Sequence, residues 1–127
     1  MLGQSSVVAF VATANAKQSE AFYAQALGLT KLEDSPFALV FDANGTLLRI
    51  QKVSTVSPPP YTVLGWEVDD IESSVRGLAE NGVVFQFYEQ MPQNDLGIWT
   101  SPGGARVAWC KDPDGNILSI TQCADKD

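Results

Sequence analysis

The sequence predicts an α+β fold made of two βαβββ units, and three observations predict it. A strand, a polar cap and a helix are written twice: V-A-F-V-A-T, A-N, A-K-Q-S-E-A-F-Y-A-Q-A-L-G at Val8–Gly28, and V-L-G-W-E-V followed by D-D-I-E-S-S-V-R-G-L-A-E-N-G at Val63–Gly82. The two copies superpose at an offset of about 55 positions. Each copy is followed by further strand-like runs separated by turn residues, and Ser54–Tyr61, with its Ser-Pro-Pro-Pro, separates the copies. Three consecutive prolines enter neither a ladder nor a helix interior, so this segment reads as an extended linker. The chain is then one domain, 1–127, with module one at about 6–53 and module two at about 62–122.

Ser6–Thr13 is apolar on both faces and reads as a buried strand. Asn15 stands at the N-cap position of a helix over Ala16–Leu27, whose Phe22, Tyr23, Ala26 and Leu27 form one apolar stripe and which Gly28 ends. Leu29–Glu33 is a short strand broken by Pro36. Phe37–Asp42 and Thr46–Val53 form a hairpin around Asn44-Gly45, the pair best suited to a two-residue turn.

In the second copy Thr62–Val68 is a strand, and Asp69 or Asp70 caps a helix over Ile71–Glu80 that turns Ile71, Val75, Leu78 and Ala79 inward. Val83–Glu89 reads as a strand rich in Val and Phe, Gln90–Leu96 is a polar loop, and Gly97–Ser101 and Ala105–Lys111 are strands joined by Pro102-Gly103-Gly104. Asp112-Pro113-Asp114-Gly115-Asn116 has the composition of a turn, Ile117–Gln122 is the last strand, and the polar tail Cys123–Asp127 is expected to fray. Each unit is read as strand, helix and three strands, giving roughly eight strands and two main helices, with sheet on one side and helices on the other.

Composition narrows the function. Eight basic against 15 acidic residues leave a net charge of −7, and Lys and Arg do not cluster. Nucleic acid and anionic membrane are therefore poor partners. No apolar run approaches the roughly 20 residues that span a bilayer. The start, Met-Leu-Gly-Gln-Ser-Ser, lacks a basic region of the secretory type, and two cysteines, Cys110 and Cys123, do not make a disulfide scaffold. A reduced, cytoplasmic protein is the expectation. The absence of histidine removes both the commonest general base and the commonest transition-metal ligand.

Three stretches carry a resemblance to a known family. Ala21-Phe22-Tyr23 with Ala26-Leu27-Gly28 resembles an F-Y-x-x-x-L-G helix end, Val68-Asp69-Asp70-Ile71 a V-D-D strand-to-helix corner, and Asp112-Pro113-Asp114-Gly115-Asn116 a closing D-P-D-G-N turn. In this order they resemble the vicinal oxygen chelate superfamily, the fold of glyoxalase I, extradiol dioxygenases and bleomycin-resistance proteins. The resemblance implies that two βαβββ modules pair edge to edge and that their mixed sheet curves around a cleft. It also implies a homodimer, because the modules leave sheet edges that a second chain can cover. Whether the modules pair within one chain or across the dimer stays open.

Enzymes of this family hold a divalent metal in the cleft through one side chain from the first and one from the last strand of each module, usually His and Glu. Carried onto this sequence, those positions are Val8, Arg49, Val63 and Ser119. Valine has no donor atom, arginine stays a cation, and a lone serine hydroxyl is a poor ligand for a borderline divalent ion. No metal and no cofactor are expected.

Strand alternation places Val8, Phe10 and Ala12, Leu47, Arg49 and Gln51, Val63, Gly65 and Glu67, and Ile117, Ser119 and Thr121 on the cleft face. The opposite parity, including Val11, Leu48, Ile50, Leu64, Trp66, Leu118 and Ile120, packs under the helices. Arg49 has two readings: an ion pair with Glu67 that fills the metal position, or a site for an anionic ligand. Phe85, Phe87, Trp99 and Trp109 lie on the second copy's strands, where aromatic walls suit a flat ligand. The candidate ligand-binding set is therefore Arg49, Glu67, Phe10, Phe85, Phe87, Trp99, Trp109 and Ser119, and no catalytic residue is assigned. The expected function is metal-free binding of a small flat or antibiotic-like molecule. The alternative is a metal-independent lyase or isomerase using Glu67 and Arg49.

Overall fold

The computed structural model describes residues 1–124, so residues 125–127, most of the tail expected to fray, lie outside the described residues. A short 3-10 turn, Leu2–Gln4, precedes β1 (Val8–Thr13), α1 (Ala16–Ala21), β2 (Thr30–Asp34), β3 (Ala38–Ala43) and β4 (Thr46–Lys52). After the proline linker come β5 (Thr62–Glu67), α2 (Ile71–Glu80), β6 (Trp99–Thr100), β7 (Arg106–Lys111) and β8 (Ile117–Gln122). They form two four-stranded sheets of the same order, β1-β4-β3-β2 and β5-β8-β7-β6. In each sheet the first and last strands of the unit run parallel and the remaining pairs antiparallel, so the expected α+β architecture of mixed sheets is what the chain adopts. Among the described residues no helix is long and apolar enough to cross a membrane.

Side-chain parity positions everything else. Val11, Leu39, Phe41, Leu48 and Ile50 of the first sheet and Ala108, Cys110, Leu118 and Ile120 of the second are buried, and with Tyr23, Ile71 and Val75 from the helical segments they make one core. The strands therefore turn their apolar parity toward the helices, as their period-two pattern requires. β3 is covered on both faces over Ala38–Phe41.

Two local expectations are corrected, and a third, left between Asp69 and Asp70, is decided. The helix expected over 16–27 is α-helical only to Ala21; Phe22–Ala26 continues as a π-helical turn, with the Leu27 amide donating to the Phe22 carbonyl at 2.9 Å. Asn15 occupies the N-cap position but its side chain does not cap; its Nδ2 donates instead to Asp114, 3.0 Å away. At α2 it is Asp70 that caps, accepting from the Ser73 amide at 3.2 Å.

The largest correction concerns Val83–Glu89. The second half offers four extended segments after its helix where the first offers three, and this one forms no strand: it meets β7 only at a single bridge, Phe85 to Cys110. Beyond that bridge the edge of β7 is taken by β6, with Trp99 opposite Val107 and Thr100 opposite Arg106. Strand-like composition is satisfied here by packing rather than by a ladder, because Val83 and Phe85 are buried in the core.

The D-P-D-G-N turn joins the two halves. Thr13 Oγ1 donates to Asp114 Oδ2, the Ala14 amide donates to Asp114 Oδ1 at 2.8 Å, and Ser19 Oγ reaches Asp114 Oδ2 at 3.2 Å. Asn116 Nδ2 donates to the Ala12 carbonyl at 3.0 Å. Gly115 has φ +88°, and a β-carbon there would stand 3.2 Å from Pro58 Cγ, so glycine serves both the turn and the passage of the linker. At the other end of the joint, Asn81 Nδ2 donates to the Ala26 carbonyl at 3.2 Å.

Candidate small-molecule site

The sheet faces turned away from the helices carry the expected site positions. On the first sheet Phe10 of β1 stands opposite Arg49 of β4, and Val40 of β3 flanks Arg49 on the other side. Val8 pairs with Leu47 one step along. Phe10 is 54 % exposed, Leu47 43 % and Val8 41 %, so the strand positions next to Arg49 on this face carry exposed apolar side chains.

Arg49 itself is half-buried and has no carboxylate within ion-pair distance among the described residues. The ion pairs found are Lys31–Glu20, Lys52–Asp34 and Arg106–Glu72. The expected Arg49–Glu67 pair is therefore corrected: Glu67 is exposed, ends β5 opposite Thr121, and likewise has no ion-pair partner among the described residues.

On the second sheet Trp109 of β7 stands opposite Ser119 of β8, which stands opposite Gly65 of β5. Trp99, opposite Val107, shares that face. The Trp99 and Trp109 rings are 6.2 Å apart at 34°, and Tyr88 meets Trp109 edge-on at 5.8 Å. These three aromatics form a wall beside Ser119. The Tyr88 hydroxyl is pushed above its ordinary pKa by burial, with the Cys110 thiol adding to it, so it stays a neutral phenol.

Two expected site residues are placed elsewhere. Phe85 is buried in the core because its bridge partner Cys110 faces the helices. Phe87 is 61 % exposed and lies near Gly97, off any sheet ladder. Of the remaining six, five fall into two groups, Phe10 with Arg49 and Trp99 with Trp109 and Ser119, on sheets whose first strands, β1 and β5, touch, and Glu67 stands apart at the end of β5. A groove of about 410 Å³ on the helix side of β5, bordered by Glu67, was not foreseen, because its walls come from both halves of the chain.

The four positions matched to the family's metal ligands do not fit a metal. Val8 pairs with Leu47, Arg49 lies opposite Phe10, Val63 falls at an irregularity in the β5–β8 register, and Ser119 lies between Gly65 and Trp109. Among the described residues no group of three or more His, Cys, Asp or Glu is arranged to hold an ion.

Comparison with known proteins agrees with this architecture. The profile of the Glyoxalase/Bleomycin resistance protein/Dioxygenase superfamily matches residues 5–120. A glyoxalase/bleomycin resistance protein/dioxygenase from Alicyclobacillus acidocaldarius is similar with a TM-score of 0.73 at 16 % identity, over 96 % of this chain and 93 % of that one. A glyoxalase family protein from Enterococcus faecalis gives 0.71 at 18 % identity, over 95 % and 99 %. Lactoylglutathione lyase from Agrobacterium tumefaciens gives 0.65 at 15 % identity, over 93 % of each chain. At these identities the likeness is one of fold. No curated protein matches the sequence. With its mixed-sheet pair, its D-P-D-G-N joint and a profile match along most of its length, the chain belongs to the Glyoxalase/Bleomycin resistance protein/Dioxygenase superfamily.

Proposed function

We propose that this is a metal-free small-molecule-binding protein of the glyoxalase/bleomycin-resistance type, which sequesters a flat, anionic molecule against its open sheet face. The observation that supports it is Arg49: a half-buried guanidinium with no ion-pair carboxylate among the described residues, on a strand face shared with exposed Phe10, Val8 and Leu47. In a chain of net charge −7 such a cation is more readily neutralised by its own acids than left free. An anionic group on Arg49, with an apolar body over Phe10, uses both features. The Trp99–Trp109 wall supplies a second flat surface for stacking.

The alternative, a lyase or isomerase using Glu67 and Arg49, has less support. Glu67 is exposed, and among the described residues no side chain hydrogen-bonds or ion-pairs with it to hold it as an acid or base.

A thermal-shift screen of flat carboxylates and sulfonates tests the proposal. A ligand at 100 times its dissociation constant stabilises the fold by about 2.7 kcal/mol. Arg49→Met should abolish that stabilisation while leaving the unliganded protein's stability within about 0.5 kcal/mol of the parent. A hit whose affinity is untouched by Arg49→Met overturns the assignment.

A further inference from the structure

The groove on the helix side is separate from the open sheet face and is built from both modules. It runs between the end of the first module's helical segment at Leu27, the β5 residue Trp66, and the face of α2 that carries Ser73, Ser74 and Gly77. At about 410 Å³ it falls within the ordinary size of small-molecule pockets.

Gly77 is the anomaly that points to use. It sits in the interior of a ten-residue helix, where glycine is among the least favourable residues. Neither of the usual reasons for glycine applies. It is not among the glycines with positive φ, and a β-carbon built on it meets nothing within 4 Å. Gly77 is exposed and borders the groove, so the helix carries a disfavoured residue where a large side chain could narrow it. The Leu27 wall adds a second irregularity: it follows directly on the π-helical turn Phe22–Ala26, a distortion found frequently at functional sites.

The lining selects the ligand. Among the described residues no Lys or Arg borders the groove and Glu67 is the one charged residue that does, so an anion is disfavoured. Among the described residues the Ser73 and Ser74 hydroxyls and the Trp66 indole N–H donate to no protein acceptor, and none of them is a sealed, unsatisfied atom. These are donors without acceptors beside an apolar floor. We infer that the groove is a second binding site, for an uncharged aromatic molecule bearing a carbonyl acceptor, with Gly77 determining the space available. It disfavours the anion proposed for Arg49, so the two sites can be told apart by ligand charge.

The neutral naphthyl ketone prodan is a suitable probe, read by its own emission and by tryptophan quenching. Saturable one-to-one binding with blue-shifted emission is expected. Gly77→Leu, which fills the groove with a better helix former, should weaken binding at least tenfold without lowering the melting temperature. Ser74→Leu, on the same helix face, should do likewise and covers the case in which Gly77→Leu fails to fold. Trp66→Phe should remove most of the quenching, and Arg49→Met should change nothing. Non-saturable binding, indifference to both groove-filling variants, or loss of binding in Arg49→Met overturns the inference. So does prodan affinity that falls as protein concentration rises, because a second copy would then be the groove's occupant.

Discussion

Tyr23 Oη donates a 2.7 Å hydrogen bond to Asp112 Oδ2, across 89 residues of sequence and from one half of the chain to the other. Both side chains are buried. Asp112 also accepts from the amides of Asp114 and Asn116 and from Asn116 Nδ2, each at 2.9 Å, so its carboxylate is well satisfied. Burial, followed by the adjacent Asp112 charge, pushes the Tyr23 hydroxyl far above its ordinary pKa and keeps it a donor.

Tyr23→Phe preserves the ring and its contacts with Phe22 and Phe41 but removes the donor. A hydrogen bond to a charged group contributes about 1.5–3 kcal/mol, so a loss of about 2 kcal/mol is expected in urea unfolding. Tyr23→Phe at parental stability would show that the joint does not depend on this bond.

Asp114 predicts an acid limit to stability. Burial raises its pKa, but hydrogen bonds from Thr13, the Ala14 amide, Asn15 and Ser19 outweigh that and hold it below the ordinary 3.8. A depressed carboxylate stabilises the fold above its unfolded pKa and loses that contribution as pH falls through the folded value. Unfolding free energy should therefore decline as pH drops below 3.8, and Asp114→Asn should flatten that decline while lowering stability at neutral pH. Equal acid slopes in the two proteins would exclude Asp114 as the group responsible.

The two thiols should behave differently. Cys110 is buried opposite Leu118, and burial, with the Asp112 charge second, pushes its pKa up to about 11. Cys123 is exposed. At pH 8 a thiol reagent should modify one cysteine quickly and the other only once denaturant opens the core. Two fast thiols in the native protein would mean that β7 opens readily.

Dimerisation is proposed from the sheet edges. β2 is exposed along its whole length at the edge of the first sheet, and Leu32 on it is an exposed large apolar side chain. Sedimentation at micromolar concentration should give a species of twice the 13.7 kDa chain mass, and Leu32→Asp should shift it toward the single chain. A monomeric parent protein of full stability would remove the proposal.

The sequence by itself determined the order of strands and helices, Val83–Glu89 excepted, and the period-two division of the strands into two faces, although β1, read as buried on both, exposes Val8 and Phe10. Phe10 and Arg49 against Val11, Leu48 and Ile50 is a period-two contrast written in adjacent residues, and the sheets obey it. The α2 boundaries were equally legible, because Asp70 caps at one end and Asn81-Gly82 closes at the other, both within a turn of the helix. Only the tertiary structure decided which distant groups meet. Asp112 and Asp114 look like turn residues and prove to anchor Tyr23, Thr13 and Ser19 from the other half. Phe85 reads as a strand aromatic and is core, because its segment packs without laddering. Arg49 and Glu67 share a parity yet do not pair, and the helix-side groove arises where two modules abut. Local patterning is set by neighbours a few residues apart and can be read from a string. Contacts across about 90–100 positions depend on how two finished modules dock, which burial of their shared core selects and no single stretch encodes.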